Sequence, residues 1–325
     1  MSANTSMRIR ILCLVAAMLV ASPAFAQGWP SRPVRVVAAY PAGGSIDIVA
    51  RLVSQRLGES LGQPFIVENK AGAAGNIGTD FVAKAAPDGY TLLMGSAAAI
   101  SSAPNVYAKL PYDPLKDLLP IVLVANQPNA LIVRPGLAAN NVREFIALAR
   151  ANPGKLNYGS SGVGASQHMT AELFAMMTGV QITHVPYKGG APAMADLMSG
   201  QIDFMFDPVP TSIQVVRSGK VRALAVTSLR RSEVMPDLPS MAEAGLDGFE
   251  LRGWIGLLAP ANTPRDLVQR LNGEVLKMLA ADLRGKLLEL GLDVAGGTPE
   301  QFAAFIREDI AKYGRIVKAS GMPQQ

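Results

Sequence analysis

From Val34 onward, short β-branched apolar runs alternate with stretches in which apolar residues recur every three or four positions. A period of two fits a strand, and a period near 3.6 fits one face of a helix. The pattern predicts strands at 35–39, 65–68, 91–94, 119–124, 130–134, 156–158, 182–185, 202–206, 223–227 and 254–259. Helix starts carry their own signals. Asn141 with Glu144 three residues on reads as a capping box, and Thr263 and Thr298 each place a capping hydroxyl before a proline. Behind Thr263, Leu267, Val268, Leu271, Val275 and Leu276 keep a helical period, and the five residues from Gly321 read as a frayed tail. Such alternation predicts an α/β fold with a largely parallel sheet. Pro/Asn punctuation at 125–129 and the interruptions between Leu238 and Gly253 mark two crossings between lobes. They divide the chain into a discontinuous domain 1, 27–127 plus 251–325, and a domain 2 inserted at 128–250.

Two Gly/Ser-rich loops stand between a predicted strand and a predicted helix: Pro41-Ala42-Gly43-Gly44-Ser45-Ile46-Asp47 and Gly159-Ser160-Ser161-Gly162-Val163-Gly164-Ala165-Ser166. Helix N-termini leave backbone N–H groups unpaired and carry partial positive charge, so each loop is a candidate anion cradle. In the first, Ser45 is expected to cap a helix carrying Val49, Leu52, Val53 and Leu57, with the amides from Gly43 to Ile46 facing outward. Asp47 either complements the helix dipole or joins the site, and Tyr40 either meets a ligand's apolar part or is an ordinary half-buried tyrosine. In the second, Ser160, Ser161 and Ser166 can donate to a carboxylate. A structural or solvated role is the better reading of His168, ahead of ligand contact, and His184 reads as structural.

The N-terminus changes the picture. Arg8 and Arg10, an apolar stretch over 11–20 and Ala24-Phe25-Ala26 form a secretory signal peptide, residues 1–26, whose apolar stretch is too short to span a bilayer. Its removal would leave 299 residues and lower the formal net charge from +5 to +3. Cys13, the only cysteine, lies within it, so the mature chain has no thiol chemistry and no disulfide, as fits a bacterial periplasm. The basic residues are scattered, with Arg230-Arg231 and the stretch from Arg217 to Arg222 the densest, so no nucleic-acid footprint is seen. A mildly positive surface can still steer anionic ligands.

Several activities are excluded. A G-x-S-x-G elbow is absent, because Val163 stands two residues after Ser161, and the alternative of an exported hydrolase using Ser160 or Ser161 with His168 lacks a marked orienting acid. Gly72, Gly75 and Gly78 have the wrong spacing for a dinucleotide fingerprint, Gln167 stands where one would need its last glycine after Gly164, and no Walker A motif occurs. Two histidines and no mature cysteine indicate neither a metal site nor a cofactor.

The segment Tyr40-Pro41-Ala42-Gly43-Gly44-Ser45-Ile46-Asp47-Ile48-Val49-Ala50-Arg51 resembles the opening of the tripartite tricarboxylate transporter substrate receptors, the TctC or Bordetella-uptake (Bug) type. Val67-Glu68-Asn69-Lys70-Ala71-Gly72, Ala86-Pro87-Asp88-Gly89-Tyr90, Leu110-Pro111-Tyr112-Asp113-Pro114, Val185-Pro186-Tyr187-Lys188-Gly189-Gly190 and Gly200-Gln201-Ile202-Asp203 follow in the order of that family, across nearly the whole mature chain. The resemblance implies a two-lobed, type II-like periplasmic binding protein that holds a ligand carboxylate through main-chain amides and water from both lobes. It further implies a monomeric receptor that delivers a small organic carboxylate to the membrane subunits of a tripartite transporter, with a sensor role as the alternative. Carried onto matching positions, it names Gly43, Gly44, Ser45 and Asp47 from one lobe and Ser160, Ser161, Gly164 and Ser166 from the other, with Tyr187, Gly189 and Asp207 on further loops at strand ends. One departure is Gly95-Ser96-Ala97-Ala98-Ala99-Ile100, where many relatives carry a polar, Asn-containing loop. A less polar wall is expected there, with Ser96 its main donor.

Overall fold

In a computed structural model of the chain, residues 28–321 and Gln324 are described; the predicted signal peptide and most of the tail lie outside them. Ten strands form one sheet: β1 (Val34–Ala38), β2 (Phe65–Asn69), β3 (Thr91–Ser96), β4 (Leu118–Val133), β5 (Asn157–Ser160), β6 (Thr183–Pro186), β7 (Phe204–Pro208), β8 (Arg222–Val226), β9 (Arg252–Pro260) and β10 (Asp293–Val294). Their order is β2-β1-β3-β9-β4-β7-β5-β6, with β8 and β10 also paired to β4. The helices are α1 (Ser45–Leu61), α2 (Asn76–Ala83), α3 (Ala103–Val106), α4 (Val142–Ala151), α5 (Ser166–Thr178), α6 (Gly190–Ser199), α7 (Val209–Arg217), α8 (Arg265–Ala280), α9 (Leu283–Glu289) and α10 (Pro299–Ser320).

The sheet is parallel only at its two ends. Strands β2-β1-β3 form one parallel trio and β6-β5-β7 another, whereas every pairing of β4 and β9 is antiparallel. Each trio has the same winding, with the chain leaving its central strand into a helix. In an open α/β sheet, the carboxyl end of such a central strand is where the connections diverge and a crevice opens. The two Gly/Ser-rich loops occupy those ends, after β1 and after β5.

The sequence separates strands at 119–124 and 130–134, but one 16-residue strand, β4, covers both. Pro128 is tolerated inside it because the partner changes there. Residues up to Pro128 pair with β9, and from Asn129 the strand pairs with β7. A proline that cannot donate to a ladder belongs at such a discontinuity. Asn129 is fully buried just past it, its backbone N–H donating to Thr227 Oγ1 at 3.0 Å and its side-chain amide to Thr170 Oγ1 at 2.9 Å.

Two main cores follow. One gathers Val34, Val36 and Leu92 from the first trio with Val49 and Leu57 of α1 and Leu271 and Val275 of α8. The other gathers Leu131, Tyr158, Phe204 and Phe206 with Phe145 of α4 and Phe174 of α5. Helix α10 touches two apolar clusters: Phe302 and Ile306 pack with Trp254, while Tyr313 and Ile316 join the second core. Asn141 Oδ1 accepts from the Glu144 amide as expected, although the Glu144 carboxylate reaches back to the Asn140 amide rather than that of Asn141, and Thr298 caps α10 in a full capping box with Gln301. The expected Thr263 cap does not form: Pro264 is the cap residue of α8, and the Thr263 hydroxyl donates to the Pro260 carbonyl at 2.8 Å. Among the described residues, no helix is long and apolar enough to cross a membrane.

Asn272 of α8 joins this helix to its surroundings by donating to the Ile121 and Gly297 carbonyls, each at 2.9 Å. Asn272→Ala would leave two carbonyls unpaired, a cost of about 1–3 kcal/mol. The midpoint of thermal unfolding should fall by several degrees; an unchanged midpoint would show that these bonds contribute nothing net.

Candidate functional site

A cleft of about 550 Å³ opens between the carboxyl ends of the two trios. Of the candidates named from sequence, Tyr40, Gly44, Ser45, Ser96, Ser161 and Ser166 line it. Gly43, Asp47, Ser160, Gly164, His168, Tyr187, Gly189 and Asp207 do not, and each has another position or partner in the fold. None of the lining residues carries a formal charge.

In the first cradle, Gly44, with φ −78° and ψ 166°, is the residue that caps α1, and no side chain caps the helix. The expectation that Ser45 caps it is therefore corrected: Ser45 is the first helical residue, where its hydroxyl cannot reach forward to the first-turn amides. It accepts from Gln127 Nε2 at 3.3 Å instead. Asp47 points away from the cleft and is buried. Its Oδ2 accepts from the Gly43 amide at 2.9 Å and Arg51 Nε at 3.0 Å, and its Oδ1 from Asn69 Nδ2 at 2.8 Å. Burial opposes its charge, but the bonds from Arg51, Gly43 and Asn69 outweigh burial and hold the carboxyl below its usual range. Asp47 thus spends the Gly43 amide on shaping the loop. The next amides, at the start of α1, have no carbonyl one turn earlier to bond.

The second cradle is braced from beneath. Ala165, with φ −64° and ψ 158°, caps α5, again without a side-chain bond. Ser160 is fully buried; its hydroxyl donates to the Gly162 carbonyl at 3.0 Å, accepts from the Gly162 amide at 3.1 Å and lies 2.6 Å from His184 Nε2. His168 Nδ1 accepts from the Gly164 amide at 3.0 Å. The two imidazoles stack at 4.0 Å between centroids, 8° from parallel. Burial first, and then the neighbouring His184 ring, push His168 down to about 4, and burial lowers His184 as well. Gly164 closes against the opposite half: its carbonyl accepts from Ser102 Oγ at 3.3 Å, and its Cα sits so close to Val106 that a Cβ would lie 3.2 Å from Cγ1. A φ of 78° suits glycine there as well.

Beside the second cradle runs a short relay. Ser161 donates to Gln167 Oε1 at 2.8 Å, Gln167 Nε2 donates to Asp207 Oδ1 at 3.4 Å, and Thr211 donates to Asp207 Oδ2 at 2.6 Å. Burial pushes Asp207 up to about 6, against the hydrogen bonds from Thr211 and Gln167. Tyr187 donates to Asp196 at 2.7 Å and Gly189 precedes α6 with φ 126°. On the opposite wall, Tyr40 donates to the Ala74 carbonyl at 2.8 Å and lies 2.8 Å from Ser96 Oγ. Burial, acting against the Ser96 bond, raises the Tyr40 phenol to about 12.

No nucleophilic triad forms from Ser160, Ser161 and His168, because His168 Nδ1 is bonded to Gly164 and neither serine is bonded to its ring. Ser160 does meet a histidine, His184, but in the buried interior. Gln127, Gln167 and Trp254 line the cleft and were not among the candidates. Gln127 lies in the punctuated stretch at 125–129, and Gln167 is a polar residue in the first turn behind the second loop. Trp254 opens the last long strand and carries no local signal.

The family profile described as "Tripartite tricarboxylate transporter family receptor" matches residues 49–322. Rpa4515 of R. palustris, solved with adipate, is 39% identical, with a TM-score of 0.80 over 90% of this chain and 98% of that one. The periplasmic binding protein BugD is 38% identical, with a TM-score of 0.76 over 91% and 100%. MatC of Rhodopseudomonas palustris, solved with bound malate, is 35% identical, with a TM-score of 0.76 over 89% and 100%.

The histidine pair gives a pH signature. His168 titrates near 4 in the folded chain and near 6.5 when unfolded, so between those values only the unfolded chain takes up its proton. Stability from this group is full above about pH 6.5 and is lost as pH falls toward 4. Asp207 acts in the opposite sense, so the informative quantity is a difference between variants. His168→Asn keeps an acceptor for Gly164 and removes the titration; its unfolding midpoint should drop less than that of the wild type between pH 6.5 and 4. Equal drops would assign the acid sensitivity elsewhere.

Proposed function

The chain belongs to the tripartite tricarboxylate transporter family of receptors, and from that premise we propose that it captures a small organic carboxylate between the α1 and α5 N-termini and delivers it to a tripartite membrane transporter. Proteins of this family are solute-binding receptors of the periplasm, not enzymes. Export through residues 1–26, a monomeric state and a division into lobes 27–127 plus 251–325 and 128–250 belong to the same proposal.

One observation carries it: two helix N-termini from opposite ends of the sheet line one uncharged cleft. Backbone dipoles stabilise an anion at such a point without a counter-ion. Carboxylate-bound Rpa4515 and MatC, with adipate and malate, support the ligand class. An anion that contacts both ends favours the arrangement in which they face each other, because only that arrangement offers both sets of donors.

Thermal unfolding of the chain from Gln27, against a panel of carboxylates and their amides, tests this. A ligand at about a hundred times its Kd adds roughly 2.7 kcal/mol, so an acid should shift the midpoint where its amide does not. Acids and amides acting alike would overturn the anion reading. The φ of −78° at Gly44 is within reach of proline, so Gly44→Pro should fold while losing one cradle N–H. Affinity for the acid found should fall at least tenfold, and an unchanged affinity would rule out the backbone of the first cradle as an anchor.

A further inference from the structure

Given the anion site proposed above, on which this inference rests, the rest of the cleft can be read by asking where each side-chain proton goes. Tyr40 has one phenolic proton, and the Ala74 carbonyl, which can only accept, takes it. The 2.8 Å contact between Tyr40 and Ser96 is then donated by Ser96, whose own proton is spent. The indole N–H of Trp254 goes to Asp309 Oδ2 at 3.0 Å. Ala97 and Ala98 continue this wall and offer no polar side-chain atom. The expectation that Ser96 is the main donor here is thus reversed: its lone pairs remain, and its proton does not.

The opposite pattern holds beside the cradles. Ser45 accepts from Gln127, which leaves the Ser45 proton free, and among the described residues the Ser166 hydroxyl, which lines the cleft, donates to no acceptor. Gln127 and Gln167 each keep a second amide hydrogen after donating to Ser45 and Asp207. Side-chain donors are therefore concentrated at one end of the cleft, and the wall of Tyr40, Ser96, Ala97, Ala98 and Trp254 has no side-chain donor left.

We propose that the ligand is a monocarboxylate: one carboxylate at the cradles and an apolar body, bearing at most a hydrogen-bond donor, against the wall of Tyr40, Ser96 and Trp254. A second carboxylate on that wall would lose its water and meet no side-chain donor, only hydroxyl lone pairs, carbon and the first amides of the short helical turn at Ala98–Ser102, so its charge would be poorly compensated. A hydroxyl or N–H at the same point would find the Ser96 lone pairs. Tyr40 and Ser96 act together as the specificity device, since the phenol commits the serine proton.

Calorimetric titration with matched pairs distinguishes the possibilities: hexanoate against adipate, phenylacetate against its para-carboxymethyl diacid, and hexanamide as the neutral control. The expected result is that in at least one pair the monoacid binds tenfold or more tightly than its diacid, with hexanamide silent. Diacids binding as tightly or more tightly, hexanamide again silent, would overturn the monocarboxylate inference and leave the anion site standing. Hexanamide matching hexanoate, or silence from every acid after unfolding and refolding to remove an occupant, would overturn the anion site and this inference with it. The variant Tyr40→Phe removes the acceptor and releases the Ser96 proton toward the cleft. It should narrow the monoacid-to-diacid ratio at least threefold, whereas Ser96→Ala should not. An unchanged ratio in Tyr40→Phe would show that the hydroxyl pair does not set specificity.

Discussion

Strand β4 is hydrogen-bonded to β9 up to Pro128 and to β7 from Asn129 onward, so a single stretch of backbone belongs to both halves of the sheet. The constraint is strict, because every polar backbone group of a buried strand needs a partner. A residue that cannot donate is tolerated only where a ladder is interrupted, as at the register shift beside Pro120 and at the junction of the two ladders. Pro128 sits at that junction, and Asn129 immediately follows with side-chain bonds that take over from the regular ladder. Because the two parallel trios hang from this strand and from β9, the carboxyl ends of β1 and β5 are brought to face one crevice. Gln127, one residue before the exchange, is thereby delivered to the cleft and bonds Ser45 on the far side of the sequence.

Much of the fold was legible because it is written in local periodicity. Each predicted strand overlaps an observed one, and the turn and cap signals at Asn141 and Thr298 formed as spacing implies. Both cradles were legible for the same reason: glycines and serines between a β-branched run and an amphipathic helix have few other uses. The continuity of β4 was hidden, since Pro and Asn signal interruption and nothing local reveals that two partners meet there. The two-residue strand β10 escaped notice because its pairing with β4 is the work of the tertiary fold. Gln167 and Trp254 were missed as lining residues because cleft position follows from strand order, which no local pattern encodes.

Among the serines and acids of the cradles, residue type was visible and direction was not. Ser160 and Ser161 are neighbours in a strand and its exit, so they point to opposite sides; one is sealed inside with His184 and the other faces the cleft. Asp47 illustrates the same limit. A carboxylate in a first helical turn is favourable wherever it points, and here Arg51, Asn69 and the Gly43 amide decide that it serves the loop. Keeping that charge out of the crevice matters, since a carboxylate beside an anion's cradle would raise the cost of binding by like-charge repulsion.

An anion site built from helix ends has a physical consequence that a guanidinium site would not share. Arginine brings its own charge, which must be desolvated and oriented, and its long side chain loses entropy on being fixed. Backbone amides are already fixed by the fold, so their dipoles are in place before the ligand arrives. The partial charges are small, and their contribution depends on aiming several at one point in a crevice that excludes water. That requirement explains the buried bracing under the second loop. His168 holds the Gly164 amide and Ser160 holds the Gly162 amide, so both backbone groups are positioned from within, and the loop keeps a shape that its glycines alone could not enforce.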